Sequence, residues 1–175
     1  YSSNAKGIKC DADLTISGGK IKVESTGSSG SDGIDSDGSL SIDGGEIEVL
    51  AYDDCIKSLR NMTLNNGNIY CYSTHNDALD TKASLTVNGG FIIASGAAGS
   101  KNGVNCDGIF KINGGCLLAT GGKFLRVALE VDRVEQEHPA EEQQFGKKKQ
   151  PHAELGPGII LVCRVAHGMP LPLKS

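Results

Sequence analysis

The sequence predicts an all-β fold, a parallel β-solenoid of about five turns, and three observations predict it. A phrase of 22 to 26 residues recurs, its apolar residues lie two apart, and glycine is abundant where proline is missing. The repeats begin at Gly7-Ile8, Gly33-Ile34, Cys55-Ile56, Ala78-Leu79 and Gly103-Val104, so the Ile8-type positions are offset by 26, 22, 23 and 25 residues. Five apolar columns run through all of them. They are Ile8/Ile34/Ile56/Leu79/Val104, Leu14/Leu40/Met62/Leu85/Phe110, Ile16/Ile42/Leu64/Val87/Ile112, Ile21/Ile47/Ile69/Ile92/Leu117 and Val23/Val49/Cys71/Ala94/Ala119.

A spacing of two is the strand period, so each repeat reads as three short strands. The strands are separated by Ser17-Gly18-Gly19, Asp43-Gly44-Gly45, Asn66-Gly67, Asn88-Gly89-Gly90 and Asn113-Gly114-Gly115. Asn, Asp or Ser before Gly supplies the positive-φ corner that a sharp change of direction requires. Each repeat read alone is also compatible with a hairpin. Identical columns are better explained by a coil in which each strand pairs in parallel with its counterpart one turn on. Proline would delete donors from such ladders, and residues 1–122 hold 20 of the 24 glycines and none of the five prolines.

The net charge of −4 is concentrated in the repeats, where 9 Lys and Arg face 14 Asp and Glu. With 5% aromatic residues, no Trp and no cluster of basic side chains within the repeats, nucleic acid is excluded as an expected partner. No run of about eighteen apolar residues predicts a membrane span, and no basic stretch followed by an apolar one opens the chain as a signal peptide would. Tyr1-Ser2-Ser3-Asn4 enters at a repeat boundary, which reads as a fragment of a longer solenoid.

Cys10, Cys55, Cys71, Cys106, Cys116 and Cys163 show no CxxC spacing, so neither a zinc site nor a redox motif is signalled. The solenoid accounts for them as small core residues without disulfides. Cys10 and Cys106 share a column four turns apart, roughly 19 Å, beyond bridging distance.

The polar columns beside the first strand carry the chemistry. Two residues before the first apolar column stand Lys6, Asp32, Asp54, Asp77 and Asn102; one residue after it stand Lys9, Asp35, Lys57, Asp80 and Asn105. Stacked about 5 Å apart, Asp32, Asp54 and Asp77 repel one another, and a hard cation between turns would offset that repulsion. Ca²⁺, which takes six to eight oxygens, could be held by Asp32, Asp35, Asp54, Asp77 and Asp80 with Asp53. The alternative is that these aspartates make corner turns and face water.

The phrases NAKGIKCDADLTISGGKIKVES, GSDGIDSDGSLSIDGGEIEV, NDALDTKASLTVNGGFI and NGVNCDGIFKINGG resemble the repeats of the clostridial cellulose- and polygalacturonate-binding family, carbohydrate-binding domain-containing proteins formerly grouped as a domain of unknown function. The resemblance covers about residues 4–122. It implies a right-handed parallel β-helix, pectate-lyase-like in shape, in a secreted or surface-attached bacterial protein. It also implies a plant cell-wall polysaccharide as partner and Ca²⁺ as cofactor, held by the aspartates of the DGI corners: Asp32, Asp35, Asp54, Asp77 and Asp80. Lys6 and Asn102 depart from that pattern at the two ends.

On this reading Lys9, Lys57 and Lys82 pair with uronate carboxylates, and Tyr52 and Tyr72, with Tyr70, offer faces to sugar rings; equally, the three tyrosines cover the third turn. His75 reads as solvated. Non-catalytic, calcium-dependent binding of polygalacturonate or cellulose is the leading expectation. One rival is a calcium-dependent lyase with Lys57 as its base, although nearby carboxylates favour its protonated form. The other is a purely structural or adhesive solenoid.

Residues 123–175 leave the repeat and read as a cap, a disordered tail or non-native sequence. Within them Phe124, Val127, Val131 and Val134 have near-helical spacing in Lys123–His138, and Gly158–Val165 suits a strand.

Overall fold

The computed structural model describes residues 4–122 and the backbones of residues 129–130 and 159–164. Each repeat folds into three strands. The first turn has β1 (Ile8–Cys10), β2 (Leu14–Ile16) and β3 (Lys20–Ser25); the second has β4 (Ile34–Ser36), β5 (Leu40–Ile42) and β6 (Glu46–Ala51). The third holds β7 (Ile56–Ser58), β8 (Met62–Leu64) and β9 (Asn68–Ser73), and the fourth β10 (Leu79–Thr81), β11 (Leu85–Val87) and β12 (Phe91–Ser95). The fifth holds β13 (Val104–Cys106), β14 (Phe110–Ile112) and β15 (Gly115–Thr120).

Every strand pairs in parallel with its counterpart one turn away, producing three sheets around one core: β1-β4-β7-β10-β13, β2-β5-β8-β11-β14 and β3-β6-β9-β12-β15. The register is that of the sequence columns: Ile8 lies opposite Ile34, Leu40 opposite Met62, and Val49 opposite Cys71. Alternation sends one set of side chains inward, so Ile34, Ile42, Ile56, Leu64, Ile69 and Leu85 are fully enclosed. Ile8, Leu14 and Ile21 of the first turn are only partly buried against this core.

The corner between the second and third strands explains the paired glycines. Gly19, Gly45, Gly67, Gly90 and Gly115 all have positive φ, from 81° to 115°, a region costly for residues with a Cβ. They also stack closely, since a Cβ on Gly90 would lie 2.5 Å from the Gly67 carbonyl oxygen. Beside them Asn113 donates to Asn88, Asn88 to Asn65, and Asn65 to Asp43, each at 2.7 Å.

The glycine of the DGI phrase has a different reason. A Cβ on Gly33 would lie 2.2 Å from Val49 Cγ1 and 2.6 Å from the Cys55 carbonyl oxygen. Gly33→Ala is therefore expected to destabilise the fold by about 2 kcal/mol through overpacking. Urea unfolding checks this; an unchanged midpoint would show that the two walls of the coil separate freely.

Beyond Gly122, β16 (Leu129–Glu130) adds in parallel to β14, and β17 (Ile159–Arg164) pairs antiparallel with β15. The strand expected within Gly158–Val165 is present. The near-helical spacing over Lys123–His138 is not realised at Leu129–Glu130, where the unpaired edge of the second sheet offers ladder partners. The remainder of that span, with Phe124, Val127, Val131 and Val134, lies outside the described residues. The cysteines need one correction, because Cys116 is disulfide-bonded. Its register partner across the antiparallel pair is Cys163, outside the repeats, which a reading confined to the repeat columns does not consider.

Candidate functional site: a lysine-interleaved aspartate ladder

The corner leading into the first strand brings the predicted acids together, and they do not face water as the alternative reading has it. Asp32 is 0% exposed and Asp54 1%, with Asp35, Asp77 and Asp80 also buried. Backbone donors from the following turn make this possible. Asp32 Oδ1 accepts the Asp54 N–H at 3.0 Å, Asp54 Oδ1 accepts the Asp77 N–H at 3.2 Å, and Asp77 Oδ1 accepts the Asn102 N–H at 2.6 Å. Each carboxylate thus bonds the backbone of its own successor, which satisfies buried donors as well as acceptors.

Lysines supply the opposite charge. Lys6 pairs with Asp32 and lies 3.0 Å from Asp35. Lys57 Nζ lies 3.1 Å from Asp54 Oδ2 and 3.7 Å from Asp32 Oδ2. In the neighbouring column the strand register sets Lys9 beside Asp35, Asp35 beside Lys57, Lys57 beside Asp80, and Asp80 beside Asn105. Charges alternate along the sheet. Lys9 also pairs with Asp37, Lys82 lies 2.9 Å from Asp80, and the Asn105 amide donates to Asp80 at 2.8 Å.

The offset is incomplete at the centre. Burial, then the Asp80 carboxylate, pushes Asp54 up to about 7 although Lys57 acts in the opposite direction. Burial also raises Asp77. For Lys57, burial alone would lower the ammonium, but Asp54 and Asp32 outweigh it and hold the group above the usual lysine range. Lys57 is accordingly a protonated ion-pair partner, and this geometry supplies no free amine to remove a proton.

Among the described residues, one acidic group has oxygens close enough to share an ion: Asp32, Asp53 and Asp54, each offering a ligand atom within 4.8 Å of the others. Asp35, Asp77 and Asp80 are outside that group. Asp53 comes from the loop above, where its carboxylate accepts from the Gly30 N–H and the Asn76 amide. The donor set is hard and all-oxygen, which fits Ca²⁺ in kind. The three converging ligand atoms, one from each carboxylate, are fewer than the six to eight oxygens it takes, and the Lys57 ammonium stands against two of these carboxylates.

The residues expected to meet glycan do not form one surface. Lys9, Lys57 and Lys82 lie along the first sheet, bound to aspartates. Tyr52, half-buried at the corner before Asp53, is stacked on His75 with centroids 3.8 Å apart and planes 9° from parallel. Tyr72 is on the outer face of the third sheet, 56% exposed, beside Tyr70 at 39% and Phe91 at 40%. Tyr70 and Phe91 rings are 6.3 Å apart. The same face carries Lys20 paired with Glu46 and Lys22 with Glu48 in the first two turns, then turns aromatic. Phe91 was not among the expected residues; its signal was its outward register position opposite Asn68.

Residues 1–78, the first three turns and the entry to the fourth, match the family model described as carbohydrate-binding domain-containing protein. This is the family that the repeat phrases resemble, and it supports polysaccharide binding. Searches of curated proteins and of solved structures returned no match. Among the described residues no helix is long and apolar enough to cross a membrane.

Proposed function

We propose that this chain is a non-catalytic polysaccharide-binding module of secreted or surface-attached type. The observation that carries the reading is the exposed strip of Tyr72, Tyr70 and Phe91 on the third sheet of a chain whose first three turns match a carbohydrate-binding family. Aromatic faces bury the apolar faces of sugar rings while leaving hydroxyls to water. Cellulose suits such a strip directly. Polygalacturonate is anionic, as is this chain at −4, so its binding requires a cation.

Ca²⁺ is the proposed cofactor, with Asp32, Asp53 and Asp54 as the residues that would hold it. When bound, the ion would supply a hard positive centre for a uronate carboxylate. Lys57 competes for the same oxygens. The lyase reading lacks a neutral base at Lys57, and the structural-solenoid reading does not call for exposed tyrosines.

Tyr72→Ala is expected to weaken cellulose binding about tenfold, a loss of about 1.4 kcal/mol. Affinity electrophoresis in soluble β-glucan reads this directly. Unchanged mobility of the variant would remove the strip from the site. For the metal, calorimetry should detect Ca²⁺ binding that Asp54→Asn abolishes and Lys57→Gln strengthens. Equal heats in all three proteins would contradict the assignment.

A further inference from the structure

Two cysteines face one another inside the third turn, and neither the family match nor the binding reading uses them. Their proximity follows from a size relation across the coil. The column before the first apolar one holds Gly7, Gly33, Cys55, Ala78 and Gly103; the last core column holds Val23, Val49, Cys71, Ala94 and Ala119. These columns touch. A Cβ on Gly7 would lie 2.2 Å from Val23 Cγ1, and one on Gly33 the same distance from Val49 Cγ1. Where one wall carries valine, the other has no side chain at all.

Cys55 and Cys71 occupy the equivalent places one turn further on. Gly33 donates to this next turn, its N–H reaching the Asp54 carbonyl at 2.9 Å, and Val49 is the register partner of Cys71. With a C–C bond of about 1.5 Å added to the second-turn contact, the two Cβ atoms of such a pair fall within about 4 Å, the separation a disulfide takes. Cys55 Sγ lies 3.7 Å from the Val49 carbonyl oxygen, directed toward that wall. The neighbouring Cys55 thiol, together with burial, raises Cys71 well above the usual thiol range. Both are buried and free.

We propose that Cys55 and Cys71 are a cross-linking site that closes the third turn with a disulfide when the chain folds in the presence of a low-molecular-weight disulfide. The Cys55 thiolate attacks a sulfur of the oxidant, and one oxidant thiolate leaves. Cys71, as thiolate, then attacks the Cys55 sulfur of the mixed disulfide, and the second oxidant thiolate leaves. The two cysteines lose two protons and two electrons, and the oxidant is reduced to two thiols. The enclosed sulfurs dictate the timing: exchange precedes closure of the core, and the finished bond is shielded from reductants.

Trypsin sites isolate the pair, since Cys55 is the sole cysteine of peptide 23–57 and Cys71 that of peptide 61–82. The full chain is reduced, unfolded and refolded in oxidised and reduced glutathione, its remaining thiols are alkylated, and the peptides are weighed. The expected product is 23–57 joined to 61–82, two hydrogens lighter than their sum. It should be absent from Cys55→Gly/Cys71→Val, which copies the second-turn pair and keeps the fold. Recovery of both peptides fully alkylated, or of either joined to another cysteine, overturns the proposal. The same map on chain exported to a bacterial periplasm gives the answer without refolding.

Discussion

Lys57→Met is expected to destabilise the solenoid by about 3 kcal/mol at pH 8. Methionine keeps the length and the apolar stem but leaves Asp54 and Asp32 stacked and buried without the ammonium that lies 3.1 and 3.7 Å from them. The loss depends on pH, and the sign follows from Asp54. Its folded value, about 7, lies above the ordinary 3.8, so between these the folded chain holds more proton than the unfolded one. Its contribution to stability therefore falls as pH rises from about 4 to about 7 and is level above. Without Lys57 the carboxyl rises further, and protonation at pH 5 removes much of the repulsion. Urea unfolding should show a large deficit at pH 8 and a smaller one at pH 5, and Lys57→Arg should recover part of it. Millimolar Ca²⁺ should also restore Lys57→Met if the ion sits among Asp32, Asp53 and Asp54. A variant as stable as the parent at both pH values would mean that the backbone N–H bonds alone sustain the ladder.

Phe110→Ala is expected to cost about 4 kcal/mol. Phe110 heads the largest fully enclosed side chains and continues the Leu14-type column, opposite Leu85. Truncation removes a ring's worth of buried apolar area and leaves a cavity that parallel ladders on three sides cannot collapse to fill. Its neighbour Ile109 is 48% exposed, and Ile109→Ala should change stability by less than about 0.5 kcal/mol. Urea titration of the two variants checks the alternation. Equal losses would mean that the strand is turned by one residue relative to the assigned register.

How far the sequence carried the argument depends on whether a feature repeats. The five apolar columns specify the strands and their register, because a one-residue slip would put every Ile56-type side chain on the solvent side. The corner glycines were legible for the same reason. The burial of Asp32 and Asp54 was not, because a carboxylate read by type alone belongs at the surface. Yet the alternation Lys9, Asp35, Lys57, Asp80 was in the same columns, and in a stacked coil it is a ladder of opposite charges. Lys6, an apparent departure from the acidic pattern, closes that ladder at the first turn. The Cys55–Cys71 contact escaped because it crosses the coil between columns, although the reciprocal sizes of Gly33 and Val49 recorded it. Cys116 escaped because its register partner stands outside the repeats. Of the tyrosines, Tyr52, in the corner after β6, is engaged with His75, and Tyr70 and Tyr72 point outward from β9.

The most direct test of the binding account is the affinity of the full chain for cellulose and for polygalacturonate, each with Ca²⁺ and with chelator, read beside Tyr72→Ala. The account predicts cellulose binding that is indifferent to Ca²⁺ and weakened in Tyr72→Ala, and polygalacturonate binding that appears only with the ion. No retention by either polysaccharide under either condition would contradict it and leave the coil a structural element.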